Sequence, residues 1–252
     1  MLEIRNLSCD INGKRLLNIE HLQICSAQFY GLLGANGAGK STLLKVISGD
    51  LGWRGEIRLY GKPISEWSAL HRARHLAVLP QSSQLNFPFT ANEVVSLGLT
   101  PLSVSQQEGR RLIKRYMTQT DCLKFASRSY LSLSGGERQR VQLARVLLQL
   151  CQAEEKPLLL LDEPTSAQDL GQQHYILNLV KRLCEDQHYG VLAILHDLNQ
   201  VLRYCQRCSL MQGGEISYQG KPAEILSNKV IEAHWHYSPE RITLANGQLA
   251  II

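Results

Sequence analysis

The sequence predicts an α/β fold with a mixed β-sheet, and three features indicate it. Short apolar runs at 29–33, 158–161 and 190–195 are typical of strands buried on both faces of a sheet. A glycine-rich turn joins the first run to a helical pattern at 42–47, as in α/β proteins that bind phosphate. With 252 residues, 44% of them hydrophobic, the chain can bury a full core.

The glycine-rich turn fits the phosphate-binding pattern G-x-x-x-x-G-K-[ST]. Its glycines let backbone N–H groups approach phosphate oxygens, and the helix start adds partial positive charge. We expect Lys40 to reach the β- and γ-phosphates of ATP and the Ser41 hydroxyl to ligate Mg²⁺. Similar turns occur without ligands, so the interpretation depends on partners elsewhere in the chain. The predicted nucleotide contacts are Gly34, Ala35, Asn36, Gly37, Ala38, Gly39, Lys40, Ser41 and Thr42.

Composition and charge narrow the function classes. The net charge of +5 is small and scattered, which argues against a nucleic-acid partner. No apolar run approaches the roughly 20 residues of a spanning helix, and residues 1–5 do not resemble a signal peptide. The seven cysteines are odd in number and scattered, which suits a reducing compartment. We therefore expect a cytoplasmic protein.

Two short motifs resemble metal sites. Cys205 and Cys208 have C-x-x-C spacing, but no second pair or suitably spaced histidine completes a zinc site. His234 and His236 would share one face of a strand, yet two imidazoles without a third ligand are more often ordinary surface or core residues. We assign neither pair a metal.

The segment before the phosphate loop predicts a small antiparallel sheet. Residues 2–7 alternate with period two, and the Asn12-Gly13 step is typical of a hairpin turn into a second strand. Adenine needs a flat or apolar partner here, and the position falls near Ile11, which favours aliphatic packing. Residues 55–63, after the first helix, have the pattern of a further strand and turn.

Gln81 is the first candidate beyond the loop. It follows an apolar strand predicted at 77–79, which Pro80 ends. Because ligand chemistry gathers at the carboxyl ends of strands in an α/β sheet, we expect Gln81 to contact Mg²⁺ or the attacking water. Alone, it could equally be a solvated loop glutamine.

Residues from 82 to about 117 predict a helical lobe inserted into the nucleotide-binding core. Helical spacing is found at 91–98 and 110–124. The cluster at 87–90 is apolar and could either pack in a core or form the floor of a docking groove for a partner. Both interpretations stay open.

A second candidate anion site begins at Ser134. This residue is a typical helix cap, and the two glycines after it leave the first backbone N–H groups of a helix over 138–150 uncovered. The stretch has no lysine of its own, so we predict that it completes the phosphate site of a second copy of the chain, in a dimer with two composite ATP sites. A plain capped helix is the alternative. The residues assigned to this site are Ser134, Gly135, Gly136 and Glu137.

The carboxylates expected near the γ-phosphate follow the leucines at 158–161. Asp162 lies at the strand end, where it can hold the Mg²⁺ bound by Ser41. Glu163 is the candidate general base that polarises water. The strand at 190–195 delivers His196, which can hydrogen-bond the γ-phosphate or the water. The predicted catalytic residues are Glu163, His196 and Gln81, and the predicted Mg²⁺ ligands are Ser41, Gln81 and Asp162.

Together these motifs resemble the ATP-binding subunits of ABC transporters over about residues 2–226. The likeness covers, in order, the Walker A loop with Lys40, the Q-loop at Gln81, the signature at 133–137, Walker B at 158–163, the D-loop at 166–169 and the switch histidine His196. The D-loop has Gln168 where leucine is usual.

This resemblance implies an ATPase with Mg²⁺ that works as a head-to-tail homodimer, in which each signature covers the nucleotide of the other subunit. It implies docking on two integral membrane permease subunits near residues 81–98, at the cytoplasmic face of the inner membrane. A periplasmic substrate-binding protein would act on it only indirectly. The implied domain is single, with a nucleotide-binding core at 1–81 and 155–252 and a helical subdomain at about 82–154.

Finer likeness points to the importer branch for metal chelates. Residues 77–81, 87–90 and the stretched segment 147–156 look most like the haem importer ATPases of Gram-negative bacteria. The resemblance therefore implies uptake of haem (hemin), with an iron-siderophore or cobalamin importer as the alternative. A soluble ABC protein is the runner-up from another class, and an exporter ATPase fits less well because those are often fused to spanning helices.

Overall fold

The computed structural model describes residues 1–81, 87–166, 168–245, 247 and 249–252. Its strands are β1 (Leu2–Ile11), β2 (Lys14–Ile24), β3 (Gln28–Gly34), β4 (Arg54–Leu59), β5 (Lys62–Pro63), β6 (Leu76–Leu79), β7 (Leu158–Asp162), β8 (Gly190–Ile194), β9 (Arg207–Gln212), β10 (Glu215–Gly220), β11 (Arg241–Thr243) and β12 (Leu249–Ile251). Its α-helices are α1 (Lys40–Ser48), α2 (Ala69–His75), α3 (Ala91–Ser96), α4 (Gln106–Gln119), α5 (Gly135–Gln149), α6 (Leu170–Gln187), α7 (Leu198–Tyr204), α8 (Pro222–Ile225) and α9 (Asn228–Trp235). Within these ranges, no helix has the length and apolar character needed to span a bilayer.

The first strands form an antiparallel sheet of order β2-β1-β4-β5. Asn12 and Gly13 join β1 to β2 as a two-residue turn, because Ile11 pairs with Lys14. Both turn residues have positive φ, 51° and 76°. These angles belong to the type I′ turn that Asn-Gly favours. The predicted antiparallel sheet is therefore confirmed.

A larger sheet of order β10-β9-β3-β8-β7-β6 forms the centre of the molecule. Strand β10 is antiparallel to β9, and the other neighbours are parallel. Every residue of β7 and β8 is buried, as expected when both faces of a parallel sheet are covered. The carboxyl ends of β3, β6, β7 and β8 meet at one edge. The predicted α/β class with a mixed sheet is confirmed.

Helices α3, α4 and α5 pack together and share an apolar core with the central sheet. The helix expected over 91–98 is α3 followed by a 3₁₀ turn, Leu97–Leu99. Gly98 permits close packing there, because a Cβ atom would lie 2.4 Å from the carbonyl oxygen of Arg145 on α5. Residues 82–86 of the predicted helical lobe and residue 167 of the 166–169 segment lie outside the described residues. The division at 81/82 and 154/155 stays a prediction.

The helix predicted over 110–124 has different ends in the structure. Helix α4 begins earlier because Ser105 caps it, its side chain accepting the N–H of Glu108. It ends at Gln119, and Asp121 has a φ of 51°, which a right-handed helix does not contain. A separate 3₁₀ turn, Leu123–Phe125, follows.

The segment with His234 and His236 is helical, so the two imidazoles do not share a strand face. His234 lies in α9, and His236 ends that helix in the left-handed region at φ 53°. Ser227 caps the helix start, and Val230 and Ile231 are its buried residues. This segment therefore buries its apolar residues as a helix, and the strand geometry considered from the sequence is not found.

Cys205 and Cys208 are buried free thiols, as are three of the other cysteines. Burial raises the pKa of both thiols, that of Cys208 to about 12. Because thiolates rather than thiols ligate metals, this environment opposes metal binding by the C-x-x-C pair.

Candidate nucleotide-binding site

A cavity of about 590 Å³ lies at the edge where the parallel strands end. Residues 36–42 of the phosphate loop line it, together with Gln81, Glu163 and His196, which follow three other strands. Leu16 on β2 completes the lining. The structure thus brings together the loop and the three predicted catalytic side chains.

The phosphate loop runs from the end of β3 into α1. Lys40 opens the helix, and its Nζ donates to the carbonyl oxygens of Gly34 at 2.7 Å and Ala35 at 3.0 Å. Gly39 caps the helix at φ 100°, and a Cβ atom there would lie 2.9 Å from Leu17 Cδ2. The backbone angle therefore favours glycine, and a larger residue would also displace the Leu17 side chain.

Lys40 and Asp162 are charged groups held away from water, with 6% and 8% of their surface exposed. Burial lowers the pKa of Lys40, although the nearby carboxylates of Glu163 and Asp162 act in the opposite direction. Burial raises the pKa of Asp162, although a hydrogen bond from Ser41 opposes it. A bound anion beside Lys40 and a bound cation beside Asp162 would each stabilise the charged form.

Ser41 lines the cavity, and its Oγ donates to Asp162 Oδ1 at 3.2 Å. With the amide oxygen of Gln81, they supply a hydroxyl, a carboxylate and an amide. Oxygen ligands of these kinds are the ones Mg²⁺ prefers, and it commonly adds substrate phosphates to them. The residues present therefore fit a Mg²⁺ ion bound together with a nucleotide.

Glu163 is held from three directions. Gln81 Nε2 donates to Glu163 Oε2 at 2.8 Å, and His196 Nε2 lies 2.6 Å from Oε1. From α5, Gln139 Nε2 donates to the backbone oxygen of Glu163 at 2.9 Å. Glu163 has a φ of 50°, a conformation that residues other than glycine rarely adopt. Such strain persists where surrounding contacts enforce it, and here it holds a carboxylate at the cavity wall.

The comparison with known families identifies this arrangement. The family model described as ABC transporter matches residues 17–166, which span the phosphate loop, Gln81, the Ser134 helix start and Glu163. The chain belongs to the ABC transporter family. It is an ABC ATPase, so the predicted nucleotide, ATP, and the ATPase class are confirmed.

Relatives and solved structures agree over nearly the whole chain. Two relatives are named "Hemin import ATP-binding protein": one from Shewanella denitrificans is 47% identical over 253 residues, covering 100% of both chains, and one from Vibrio vulnificus is 42% identical over 237 residues, covering 94% and 91%. A dimeric ATP-binding cassette, MJ0796, in a post-hydrolysis state with ADP and Pi has a TM-score of 0.76 at 26% identity, covering 88% and 99%. The predicted ABC ATPase fold and family resemblance are confirmed.

The signature helix start stands apart from the cavity lining. Ser134 Oγ accepts the N–H of Glu137 at 3.3 Å, and Glu137 Oε2 accepts the N–H of Ser134 at 2.8 Å. This reciprocal capping box begins α5 at Gly135, three residues before the predicted start at Arg138. The N–H of Ser134 also lowers the pKa of Glu137, with a smaller effect from Arg128. Within the described chain, residues 134–137 do not line the cavity.

Gln139 and Gln168 connect the signature helix to Glu163, a role that sequence reasoning missed. In the D-loop, Gln168 Nε2 donates to the backbone oxygen of Gly136 at 2.9 Å and to Gln139 Oε1 at 3.1 Å. Arg140 Nη1 donates to Gln168 Oε1 at 3.2 Å. Since Gln139 also bonds Glu163, hydrogen bonds run from the signature to the backbone of the predicted base. The polar residue in place of leucine was the available signal.

Leu16 is the other lining residue that the sequence did not reveal. Ile11, the position considered for adenine, packs against the core of the antiparallel sheet. The wall on this side is aliphatic, as expected, but Leu16 on the return strand supplies it. The hairpin turn between β1 and β2 brings this residue to the cavity.

The apolar cluster at 87–90 is divided between two environments. Phe87 is 65% exposed, whereas Phe89 packs partly against the core. The Phe89 carbonyl accepts the N–H of Tyr130 at 2.8 Å, which fixes its backbone beside the segment before α5. Phe89 therefore packs against the core and Phe87 lies at the surface, and the docking groove stays a prediction.

Proposed function

We propose that this chain is the ATP-hydrolysing subunit of an importer that takes up haem (hemin) through a separate membrane permease. The observation that supports haem as the substrate is the 47% identity, over the full length, to a protein named for hemin import. That similarity extends beyond the nucleotide motifs, which ABC ATPases of many substrates share. The geometry around Glu163 supports the hydrolytic part of the proposal.

In this proposal, ATP occupies the cavity with its β- and γ-phosphates at Lys40 and the loop N–H groups. Glu163 acts as general base toward water at the γ-phosphate, because its carboxylate lies at the cavity wall and is oriented by Gln81 and His196. We assign the second ring nitrogen of His196 a hydrogen bond to the γ-phosphate or the water. In this proposal Gln81, Glu163 and His196 position the water, and Glu163 receives its proton.

Ser41, Asp162 and Gln81 would hold the Mg²⁺ ion that accompanies ATP. Their oxygen atoms and the 3.2 Å contact between Ser41 and Asp162 support this assignment. When bound, Mg²⁺ would neutralise charge that develops on the transferred phosphoryl group.

The active unit in this proposal is a head-to-tail homodimer. Residues 134–137 form a capped helix N-terminus, which favours anions, and they have no lysine of their own. Each signature would therefore cover the nucleotide bound by the partner's phosphate loop. The structural similarity to a dimeric ATP-binding cassette supports this arrangement.

We place two integral membrane permease subunits against the surface near residues 81–98. The exposed ring of Phe87 in that stretch supports an apolar contact with a partner. The ATPase would then be peripheral, on the cytoplasmic face of the inner membrane. A periplasmic substrate-binding protein would act on it through the permease, and no nucleic-acid partner is proposed.

Reconstitution tests the substrate and the transport role together. The chain is co-expressed with a candidate haem permease, and ATP turnover of the purified complex in lipid is measured with and without haem-loaded binding protein. Stimulation that is specific to the haem-loaded form, and is lost in the Glu163→Gln complex, is the expected result. Assembly only with a siderophore or cobalamin permease would reassign the substrate. Failure to assemble with any chelate-importer permease would favour another permease class or a soluble ABC protein.

A further inference from the structure

Two histidines and a glutamate meet at the end of the central sheet opposite the nucleotide. His71 and His75 are four residues apart on α2 and therefore share one helix face. Glu154 lies in the segment between α5 and β7. One ligand atom from each residue lies within 4.8 Å of the others, and His71 Nε2 is 3.6 Å from Glu154 Oε2.

Hydrogen bonding determines which nitrogen of His75 carries a proton. His75 Nδ1 lies 2.8 Å from the carbonyl oxygen of His71, which can only accept, so Nδ1 is the donor. His75 Nε2 accepts the backbone N–H of Glu154 at 3.2 Å, so its lone pair is engaged, and a metal ion at Nε2 would replace this hydrogen bond and leave the N–H of exposed Glu154 to water. An imidazole whose other N–H is held by a backbone carbonyl is typical of metal-binding histidines.

Aromatic neighbours orient both imidazoles. Trp67 stacks on His71, with ring centroids 5.1 Å apart and planes at 20°. Trp67 and Tyr60 approach His75 edge-on, at 5.2 Å and 5.9 Å. His75 is 1% exposed, whereas the side chains of His71 and Glu154 are 46% and 69% exposed. An ion can therefore enter from solvent and meet one buried, oriented ligand.

We propose that His71, His75 and Glu154 bind a divalent first-row transition-metal ion such as Zn²⁺, with water completing the coordination. Two imidazoles and a carboxylate suit ions of this class, whereas Mg²⁺ prefers oxygen ligands throughout. Metal bonds of about 2.0–2.2 Å require the ligand atoms to move closer together. The exposed side chains of His71 and Glu154 can make this movement.

This site is distinct from the one that would hold Mg²⁺. His75 directly precedes β6 and Glu154 precedes β7, whereas Gln81 follows the opposite end of β6 and Asp162 is the last residue of β7. The strands pair in parallel, and a strand of four residues spans about 13 Å. A metal ion here would tie α2 to the segment before β7 and stabilise the fold without contacting ATP.

Zn²⁺ titration of the full chain, free of nucleotide, tests the proposal. Calorimetry should show one Zn²⁺ per chain, Mg²⁺ should not compete, and Co²⁺ should give the visible spectrum of nitrogen and oxygen coordination. His71→Asn and Glu154→Gln should each weaken Zn²⁺ affinity at least about tenfold and remove the Zn²⁺-dependent rise in Tm. Both variants should keep wild-type ATP turnover in a buffer that contains Mg²⁺ and from which transition-metal ions have been removed.

His21→Asn is the matched control, because His21 also faces a carboxylate, that of Glu3 at 4.0 Å. It should leave Zn²⁺ affinity unchanged. Absence of Zn²⁺ binding by the wild-type chain, or wild-type Zn²⁺ affinity in both site variants, would overturn the proposal and leave the cluster as packing that joins α2 to its neighbour. Thiolate-to-Co²⁺ charge transfer that disappears in Cys25→Ser would assign the ion to the exposed cysteine and overturn it as well.

Discussion

The phosphate loop and the signature are both helix N-termini suited to anions, yet they are stabilised in different ways. At the loop, Lys40 bonds backbone carbonyls, and the cavity beside it collects Gln81, Glu163 and His196 from other strands. At the signature, the capping box of Ser134 satisfies the helix start locally. The folding of one chain thus assembles the first region, whereas in our proposal the second region becomes part of a site only when another surface meets it.

Glu163→Gln is expected to have the largest effect, and it concerns the first region alone. The amide keeps the shape of the side chain but cannot accept a proton, so ATP turnover should fall by about 10²–10⁴-fold while ATP binding persists. Phosphate release and equilibrium nucleotide binding measure the two quantities. Glu185→Gln, at an exposed carboxylate on α6, is the control and should keep full turnover. Normal hydrolysis by Glu163→Gln would mean that another group is the base.

Lys40→Ala should weaken the binding of ATP itself. Hydrogen bonds to charged groups contribute about 1.5–3 kcal/mol, so losing the ammonium should weaken ATP affinity by about 10–100-fold. Equilibrium titration with a fluorescent ATP analogue measures it. Lys45→Ala is the control, because this exposed lysine lies further along the same helix. Equal affinities for wild type and Lys40→Ala would contradict the phosphate-loop role.

Ser134→Arg tests whether the second region needs a partner. The added bulk and charge should weaken ATP-induced dimerisation about tenfold or more, in a Glu163→Gln background that binds ATP without turnover. Sedimentation measures the dimer, and nucleotide titration should show that the monomer still binds ATP. Ser105→Arg is the control, since Ser105 caps α4 through the same hydrogen bond and its loss costs about 1 kcal/mol. An undiminished dimer in Ser134→Arg would rule out the composite site.

The difference between the two regions also explains what the sequence could reveal. The phosphate loop is one contiguous motif, and Asp162 and Glu163 follow a short run of leucines after Pro157, which favours a buried strand. Parallel strands end at one edge, so the meeting of Glu163 with Gln81 and His196 was predictable in kind. The cap at Ser134 was also predictable, because its hydrogen bonds are local.

Contacts that depend on the pairing of distant segments were not predictable. Leu16 reaches the cavity because of the register between β1 and β2, and no local pattern distinguishes it from Ile11. The start of α4 depends on a single hydrogen bond from Ser105, which helical spacing alone does not reveal. The bond between Gln139 and the backbone of Glu163 joins a helix to a strand end 24 residues away.

Gln168→Leu should have the smallest effect, and it tests whether that connection couples the two regions. Leucine is the usual residue of the family here, so the chain should fold, but the bonds from Gln168 to Gly136 and Gln139 are lost. Neutral hydrogen bonds contribute about 0.5–1.5 kcal/mol each, so turnover should fall about 2–5-fold with ATP affinity unchanged. Hydrogen exchange should quicken at residues 163–168, and Gln187→Leu, at the exposed end of α6, should alter neither quantity. Faster exchange with unchanged turnover would mean that Gln168 stabilises the D-loop without positioning Glu163, which would leave the two regions coupled only across a dimer.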